Sequence, residues 1–298
     1  MASRFLNVLP NCDAFTFDSN ELTTLLSHRL YLPQPEWSLG LRCNCNRTIQ
    51  GIREHPLLDE RVHHTITNCP KEGVGIKLHH EMSNTLKDLA NACGIRAQRE
   101  EVNCFQSILN NVHFTDKEKR YRPDLSLFDM PGSHLKVILD ISSTCPIPIL
   151  GQQQFTFNEA RETERAAKMR YSERELKFNE IAKACGCKFQ AIIFETTGRM
   201  HSKSLTFIKS ILKKKSGFRD GSLLKSYWLT RISCSFQHQI ARHILDKLHK
   251  QKGTRFISGN YENRPENSID LITFPAPTYF YLIGIVSAEF YYLSLYLQ

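Results

Sequence analysis

Asp124 and Asp140 are the residues whose type and spacing best fit chemistry. Asp124 stands in Arg122-Pro123-Asp124-Leu125-Ser126-Leu127-Phe128, and Asp140 in Leu135-Lys136-Val137-Ile138-Leu139-Asp140-Ile141-Ser142. Fifteen residues separate them. That is room for the rest of one strand, a turn at Met130-Pro131-Gly132-Ser133 and a second strand running back. Such an antiparallel hairpin brings both carboxylates to one end of a sheet. A carboxylate pair suits Mg²⁺, which takes one or two acidic ligands and keeps waters for a phosphate substrate. The Ile141 carbonyl can supply a third oxygen. An ion held there polarises a phosphodiester and lowers the pKa of a bound water. A Pro-Asp pair alone also opens ordinary strands, so the surroundings carry the weight.

Such a site needs a cation to hold or activate the water. Two residues after Asp140 stands Ser142, not Lys. The nearest suitable cation is Lys168 on the long helix that follows, where spacing of three sets Lys168 and Tyr171 on one face; a helix lysine is usually a solvated surface charge, and this one is singled out by the resemblance given below, not by its own context. A second constellation is Cys43-Asn44-Cys45 followed by His63-His64 and Cys69. Four such ligands suit a closed tetrahedral Zn²⁺ site, read as Cys43, Cys45, His64 and Cys69. His63 can replace His64, and His55 is a poorer choice. The Cys-x-Cys gap is tighter than the usual one, and unlinked thiols are the plain alternative. If the ion binds, it is structural, because the segment has little apolar periodicity to fold it. His79-His80-Glu81 can approach the metal or a phosphate from a helix N-terminus but read first as polar first-turn residues; Glu195 can abut the site but reads first as a partner for a basic neighbour; and Cys185-Gly186-Cys187 resembles half a metal site with no partner and reads as structural. Lys213, Lys214 and Lys215 begin a basic run that fits phosphate or solvent equally well.

The elements that must position these groups follow from periodicity. Leu22, Leu25, Leu26 and Leu30 mark a helix ended by Pro33 and Pro35. Leu78, Met82, Leu86, Leu89, Ala90 and Cys93 mark a second, stopped by Gly94. Strands are expected over 95–102, around Asp124, around Asp140 and over 189–195. A long helix is expected over 158–184, and further helices over 204–214 and 223–249. The predicted class is α/β with a mixed (α+β) sheet. The parts are an N-terminal helical segment (1–40), the Cys/His segment (41–72), a core (73–200), basic helices (201–252) and a linker with an apolar tail (253–298).

Charge points to a polyanion. The chain carries a formal +9. Residues 161–250 hold twenty Lys or Arg against eight Asp or Glu, so the remainder is slightly acidic. A basic half of this kind suits nucleic acid, DNA first and RNA second. Ten cysteines without an apolar leader suggest a reducing setting, where Cys with His means metal before disulfide. The run Thr278–Leu297 is nearly long enough to span a membrane, but it contains Glu289 and lacks a basic flank. A buried terminal element or an unrelated tail is the preferred reading, with no membrane partner.

Arg122-Pro123-Asp124, Asp140-Ile141-Ser142 and Lys168-x-x-Tyr171 together resemble the restriction-like endonuclease of site-specific non-LTR (LINE-type) retrotransposons, within the PD-(D/E)xK nuclease superfamily. The run Ser3 to Pro10, with Leu25, Arg29 and Leu30, is similar to the segment after the reverse transcriptase in such proteins. Cys43, Cys45, His64 and Cys69 resemble their CCHC zinc knuckle, with a longer gap before the His. Phe194 to Gly198 and Ser233 to Ile240 also match, so the resemblance covers roughly residues 3–250. It implies a core of helix, three strands, helix and strand. It further implies Mg²⁺-dependent nicking of DNA by Asp124, Asp140 and Lys168 with Tyr171 nearby, and a structural Zn²⁺; a nuclear setting is expected from that DNA substrate alone. Arg122, Arg199 and Lys213–Lys215 are expected to contact nucleic acid. No polymerase motif occurs in the 298 residues, which reads as a fragment or a stand-alone derivative. An inactive nucleic-acid-binding module and a functionless remnant are the rival readings.

Overall fold

The computed structural model describes residues 12–30, 32–34, 47–49, 52–54, 66, 74–102, 104–105, 115, 121–130, 134–146, 164–213 and 221–251. These all lie in the unit Met1–Phe256; the second unit, Ile257–Gln298, which holds the apolar tail, is outside the described residues. In chain order the elements are α1 (Ser19–Arg29), β1 (Arg47–Ile49), β2 (Ile52–Glu54), α2 (Val74–Ala92), β3 (Arg96–Arg99) and β4 (Leu125–Phe128). There follow β5 (Val137–Thr144), α3 (Arg165–Ala184), β6 (Lys188–Glu195), α4 (Ser202–Lys213) and α5 (Gly221–Gln251). The chain is therefore mixed α/β. From α2 onward the order is helix, three strands, helix, strand. Among the described residues no helix is long and apolar enough to cross a membrane.

Two helices stop in the same way, and each stop launches a strand. At the end of α2, Ile95 N–H donates to Ala90 O and Gly94 N–H to Asn91 O, both 2.9 Å. At the end of α3, Cys187 N–H donates to Ala182 O (2.8 Å) and Gly186 N–H to Lys183 O (3.0 Å). This is the Schellman pattern, which needs a left-handed residue at its centre. Gly94 (φ +71) and Gly186 (φ +64) supply it. Nothing crowds a Cβ at either position, so Gly186→Ala is expected to lower stability through backbone strain alone. The loss should be about 1–2 kcal/mol in a denaturant titration; an unchanged midpoint would contradict the strain argument.

The four-stranded sheet runs β3-β4-β5-β6. β3 with β4 and β4 with β5 are antiparallel, while β5 and β6 are parallel from Val137↔Lys188 to Thr144↔Glu195. The parallel pair requires a crossover, which α3 provides. Side-chain alternation sorts the two faces of the sheet. Leu125, Leu127, Val137, Leu139, Ile141, Ile192 and Phe194 join the main core with Leu78, Met82, Leu86 and Leu89 of α2 and with Trp228, Ile232, Phe236, Ile240 and Ile244 of α5. Ile138, Ala191 and Ile193 face α3. The outer edge of β6 is covered: Ser204 Oγ donates to Ala191 O (3.0 Å) and accepts from Ile193 N–H (3.1 Å). An edge closed in this way is not open to pairing with another chain.

Three local readings change. The strand expected over 95–102 stops at Arg99, because Glu100 turns to φ +47. α2 begins at Val74, not at the histidines, since Gly75 does not break it. The Cys/His segment contains an antiparallel hairpin, β1 with β2 in the register Arg47↔Glu54. Cys43, Cys45, His63, His64 and Cys69 lie outside the described residues.

α1 is tied to α5 by one buried carboxylate. Asp18 and Glu21 form a capping box, with Glu21 N–H donating to Asp18 Oδ1 (2.7 Å) and Asp18 N–H to Glu21 Oε2 (3.3 Å). Glu21 also meets His238 Nδ1 at 3.1 Å and Arg242 Nε at 2.8 Å. Burial opposes ionisation of Glu21, but His238 and Arg242 outweigh it and hold the acid below its ordinary value. Removing one partner of a buried pair leaves the other charge unmatched. Glu21→Ala is accordingly expected to lower stability by about 3 kcal/mol in urea denaturation. A loss below about 1 kcal/mol would mean the pair is solvated.

Candidate functional site

The antiparallel register carries the two aspartates to one place. Leu125 pairs with Leu139, and Asp124 N–H donates to Leu139 O (3.0 Å), so the next positions outward are Asp124 and Asp140. Asp124 stands just before β4, where the carbonyl ladder has run out. Its Oδ2 takes the next ladder place and accepts the N–H of Ile141. The Ile141 carbonyl lies close by, because His79 Nδ1 reaches both oxygens: 3.3 Å to Asp124 Oδ2 and 3.4 Å to Ile141 O. His79 thus occupies the second turn of α2 and faces the acidic pair, rather than being a polar first-turn residue. Burial pulls His79 below the ordinary histidine range, although the Ile141 contact opposes this.

Asp140 is also reached from α3. Tyr121 O–H donates to Asp140 Oδ1 at 3.0 Å. Arg174 Nε lies 3.4 Å from Oδ2, near enough for charge pairing but misaligned for a hydrogen bond. Oδ2 is therefore a buried oxygen that accepts no hydrogen bond among the described residues. The Asp140 side chain is 7 % exposed and that of Asp124 13 %. Burial, then repulsion from Asp140, pushes the Asp124 carboxyl up to about 8. Burial and the two aspartates also raise the Tyr121 phenol, which stays a donor.

Helix and strand spacings explain which cations arrive. Four helical residues rise about 6 Å, close to the roughly 6.6 Å of two strand residues. Phe178, Arg174 and Arg170 therefore match Ile138, Asp140 and Ser142 in turn. Phe178 and Ile138 share one cluster, Arg174 meets Asp140, and Arg170 Nε donates to Ser142 Oγ (3.0 Å). Lys168 lies six residues from Arg174, about 9 Å of helix rise. It is exposed, and its charge is felt by His201. Tyr171, three residues on, is buried, so the boundary between solvent and core runs between the two. The Tyr171 ring stacks on His201 (centroids 4.4 Å apart), and Gln190 Nε2 donates to its hydroxyl (3.3 Å).

The remaining expected residues fall elsewhere. Arg122 is exposed just before the acidic pair. Arg199 lies 3.9 Å from the buried carboxylate of Glu195, which is the basic neighbour expected for that acid. Lys213 is exposed at the end of α4, while Lys214 and Lys215 lie outside the described residues. Sequence reasoning missed Tyr121, Arg170 and Arg174, and it misread His79. The four-residue spacing of Arg170, Arg174 and Phe178 was the available signal.

The residues present fit a cation. Two carboxylates share a largely dry site, one is held off ionisation, and one carboxylate oxygen lacks a hydrogen bond. Asp124, Asp140 and the Ile141 carbonyl offer hard oxygens suited to Mg²⁺. Beside them, ligand atoms of His79, His80 and Glu100 lie within 4.8 Å of one another, a second group able to hold a metal. There Arg99 Nη2 lies 2.7 Å from His80 Nδ1. Compared with known proteins, the chain matches no family model and has no significant similarity to a curated sequence.

Proposed function

We propose that this chain is a Mg²⁺-dependent DNA endonuclease domain that nicks one strand, of the restriction-like type found in non-LTR retrotransposons, with an attached zinc knuckle. The observation that carries the reading is the Asp124–Asp140 pair at the end of the β4–β5 ladder, with Asp124 kept from ionising until a cation offsets its neighbour. The order of helix, three strands, helix and strand supports it. Mg²⁺, when bound, supplies Lewis-acid polarisation of the phosphodiester and a bound water of lowered pKa. Asp124, Asp140 and the Ile141 carbonyl hold it. Tyr121 fixes the orientation of Asp140 through its O–H. Arg170 and Arg174 line the same face of α3 and offer charge to a phosphate. Arg122 extends that positive surface, Lys168 is the cation that the family pattern assigns, and Zn²⁺ at Cys43, Cys45, His64 and Cys69 is a folding element.

The test is a plasmid assay. Supercoiled DNA is incubated with the purified chain in Mg²⁺ or in EDTA, beside Asp124→Ala. Open-circle product should require Mg²⁺ and disappear in the variant. Nicking that persists unchanged in Asp124→Ala would sink this reading.

One observation favours a second reading, an inactive nuclease fold that only holds nucleic acid. Both acids already have basic neighbours, Arg174 at Asp140 and His79 at Asp124. Such a module binds DNA with a steep salt dependence and yields no product in the same assay.

A further inference from the structure

Cys187 ends the Cys185-Gly186-Cys187 motif, and its thiol meets a cysteine from the far side of the sheet. The β5–β6 register begins at Val137↔Lys188, and Lys188 N–H donates to Lys136 O (2.8 Å). Cys187 therefore starts beside Lys136. The Lys136 ammonium lies 3.0 and 3.1 Å from the two Glu101 oxygens. That contact draws the segment after β3 toward the start of β6, across the width of the sheet. Cys104 and Phe105 then pack with Ile138, Phe178 and Cys187 in one apolar cluster. There the Cys104 thiol hydrogen-bonds to Cys187 and lies beside Lys136. Both cysteines are buried and free.

We propose that Cys104 and Cys187 are an oxidation site that forms a reversible disulfide with peroxide as the oxidant. The inference is independent of the nuclease reading. Cys187 is the attacking thiol. The hydrogen bond from Cys104 pulls it down to about 7 against its burial, with help from the Lys136 charge, so Cys187, whose thiol donates to Cys185 O (3.4 Å) in the reduced chain, gives up its proton before Cys104 does. The Cys187 thiolate attacks one peroxide oxygen; the S–O bond forms, the O–O bond breaks, and hydroxide leaves and takes up a proton. Cys104 sulfur then displaces the sulfenic hydroxyl. The S–S bond forms, and the Cys104 proton departs with the hydroxyl as a second water. Two thiols lose two electrons, and one peroxide becomes two waters. Burial selects a small oxidant, and a reducing setting makes the bond transient. Its closure fastens Phe105, which stacks on Tyr121 (5.6 Å), the donor to Asp140.

The experiment uses the full chain, reduced and then treated with stoichiometric hydrogen peroxide. Remaining thiols are blocked with N-ethylmaleimide and the peptides are mapped without reduction. The Cys104 and Cys187 peptides should appear joined, two hydrogens lighter, and separate with dithiothreitol. The melting temperature should rise by about 5–10 °C on oxidation, since the closed loop is long. Cys187→Ser should leave Cys104 open to blocking. Lys136→Gln, which keeps the Glu101 hydrogen bond, should slow bond formation at pH 7 by several-fold. Linkage of Cys187 to Cys185, or both thiols still blocked by maleimide after the exposed Cys12 has oxidised, overturns the proposal.

Discussion

Asp140→Asn is expected to reduce Mg²⁺-dependent nicking by roughly 10³-fold while leaving stability within about 1 kcal/mol. The two halves have different causes. The amide removes a negative oxygen from the ion's site, so activity falls. It also removes the neighbour that repels Asp124. Arg174, whose side chain is 19 % exposed, can turn to water once its partner is neutral. The Tyr121 hydroxyl still finds an oxygen at position 140. The free-energy terms for folding thus nearly cancel, and a denaturant midpoint beside the nicking rate separates them. Retained nicking would remove Asp140 from the site. Lost nicking together with gross unfolding would instead make it a packing residue.

Magnesium binding at pH 7 is expected to release close to one proton per ion. The Asp124 carboxyl is pushed up to about 8 by burial and by Asp140, so the metal-free acid holds its proton at neutrality. An ion competes with that proton. Apparent affinity should therefore tighten by up to about tenfold per pH unit below 8 and level off above it. Titration calorimetry in two buffers of different ionisation enthalpy counts the protons. The metal-free chain should respond in the opposite sense. A carboxyl whose folded value is raised stabilises the fold at low pH and loses that contribution as pH rises. The native state keeps a proton that the unfolded chain has given up between about 4 and 8. Stability should decline there by at most about 1.4 kcal/mol per unit from this group. Proton-independent Mg²⁺ binding would show that Asp124 is ionised without the metal.

The helices and the Asp124–Asp140 hairpin were legible because their signals are local. Leu78 through Cys93 repeats with the period of a helix, and Gly94 and Gly186 mark stops that the backbone angles require. Asp140 was legible because the register of a short hairpin follows from its spacing. What was not legible depends on the crossover. The four-residue spacing of Arg170, Arg174 and Phe178 marks one face of α3 but not the strand it lies against, so the sequence points to Lys168 ahead of the arginine that reaches Asp140. His79 was misread because it meets Asp124 only once α2 is laid across the sheet. Cys187 looked like half a metal site because its partner, Cys104, comes from the opposite sheet edge.

The carboxylate of Glu21 also has a consequence for how the chain is made. Its ring partner His238 stands 217 residues later. During synthesis from the N-terminus, α1 emerges long before either side chain that pairs with Glu21. The apolar residues of α5 that complete the main core arrive equally late. A nascent chain halted after β6 would have every strand of the sheet and α2 against it, yet the side of α2 that packs on α5 would be bare and Glu21 would lack both partners. Chaperones should engage this protein until α5 clears the ribosome, and truncations that cut into α5 should fail as whole molecules.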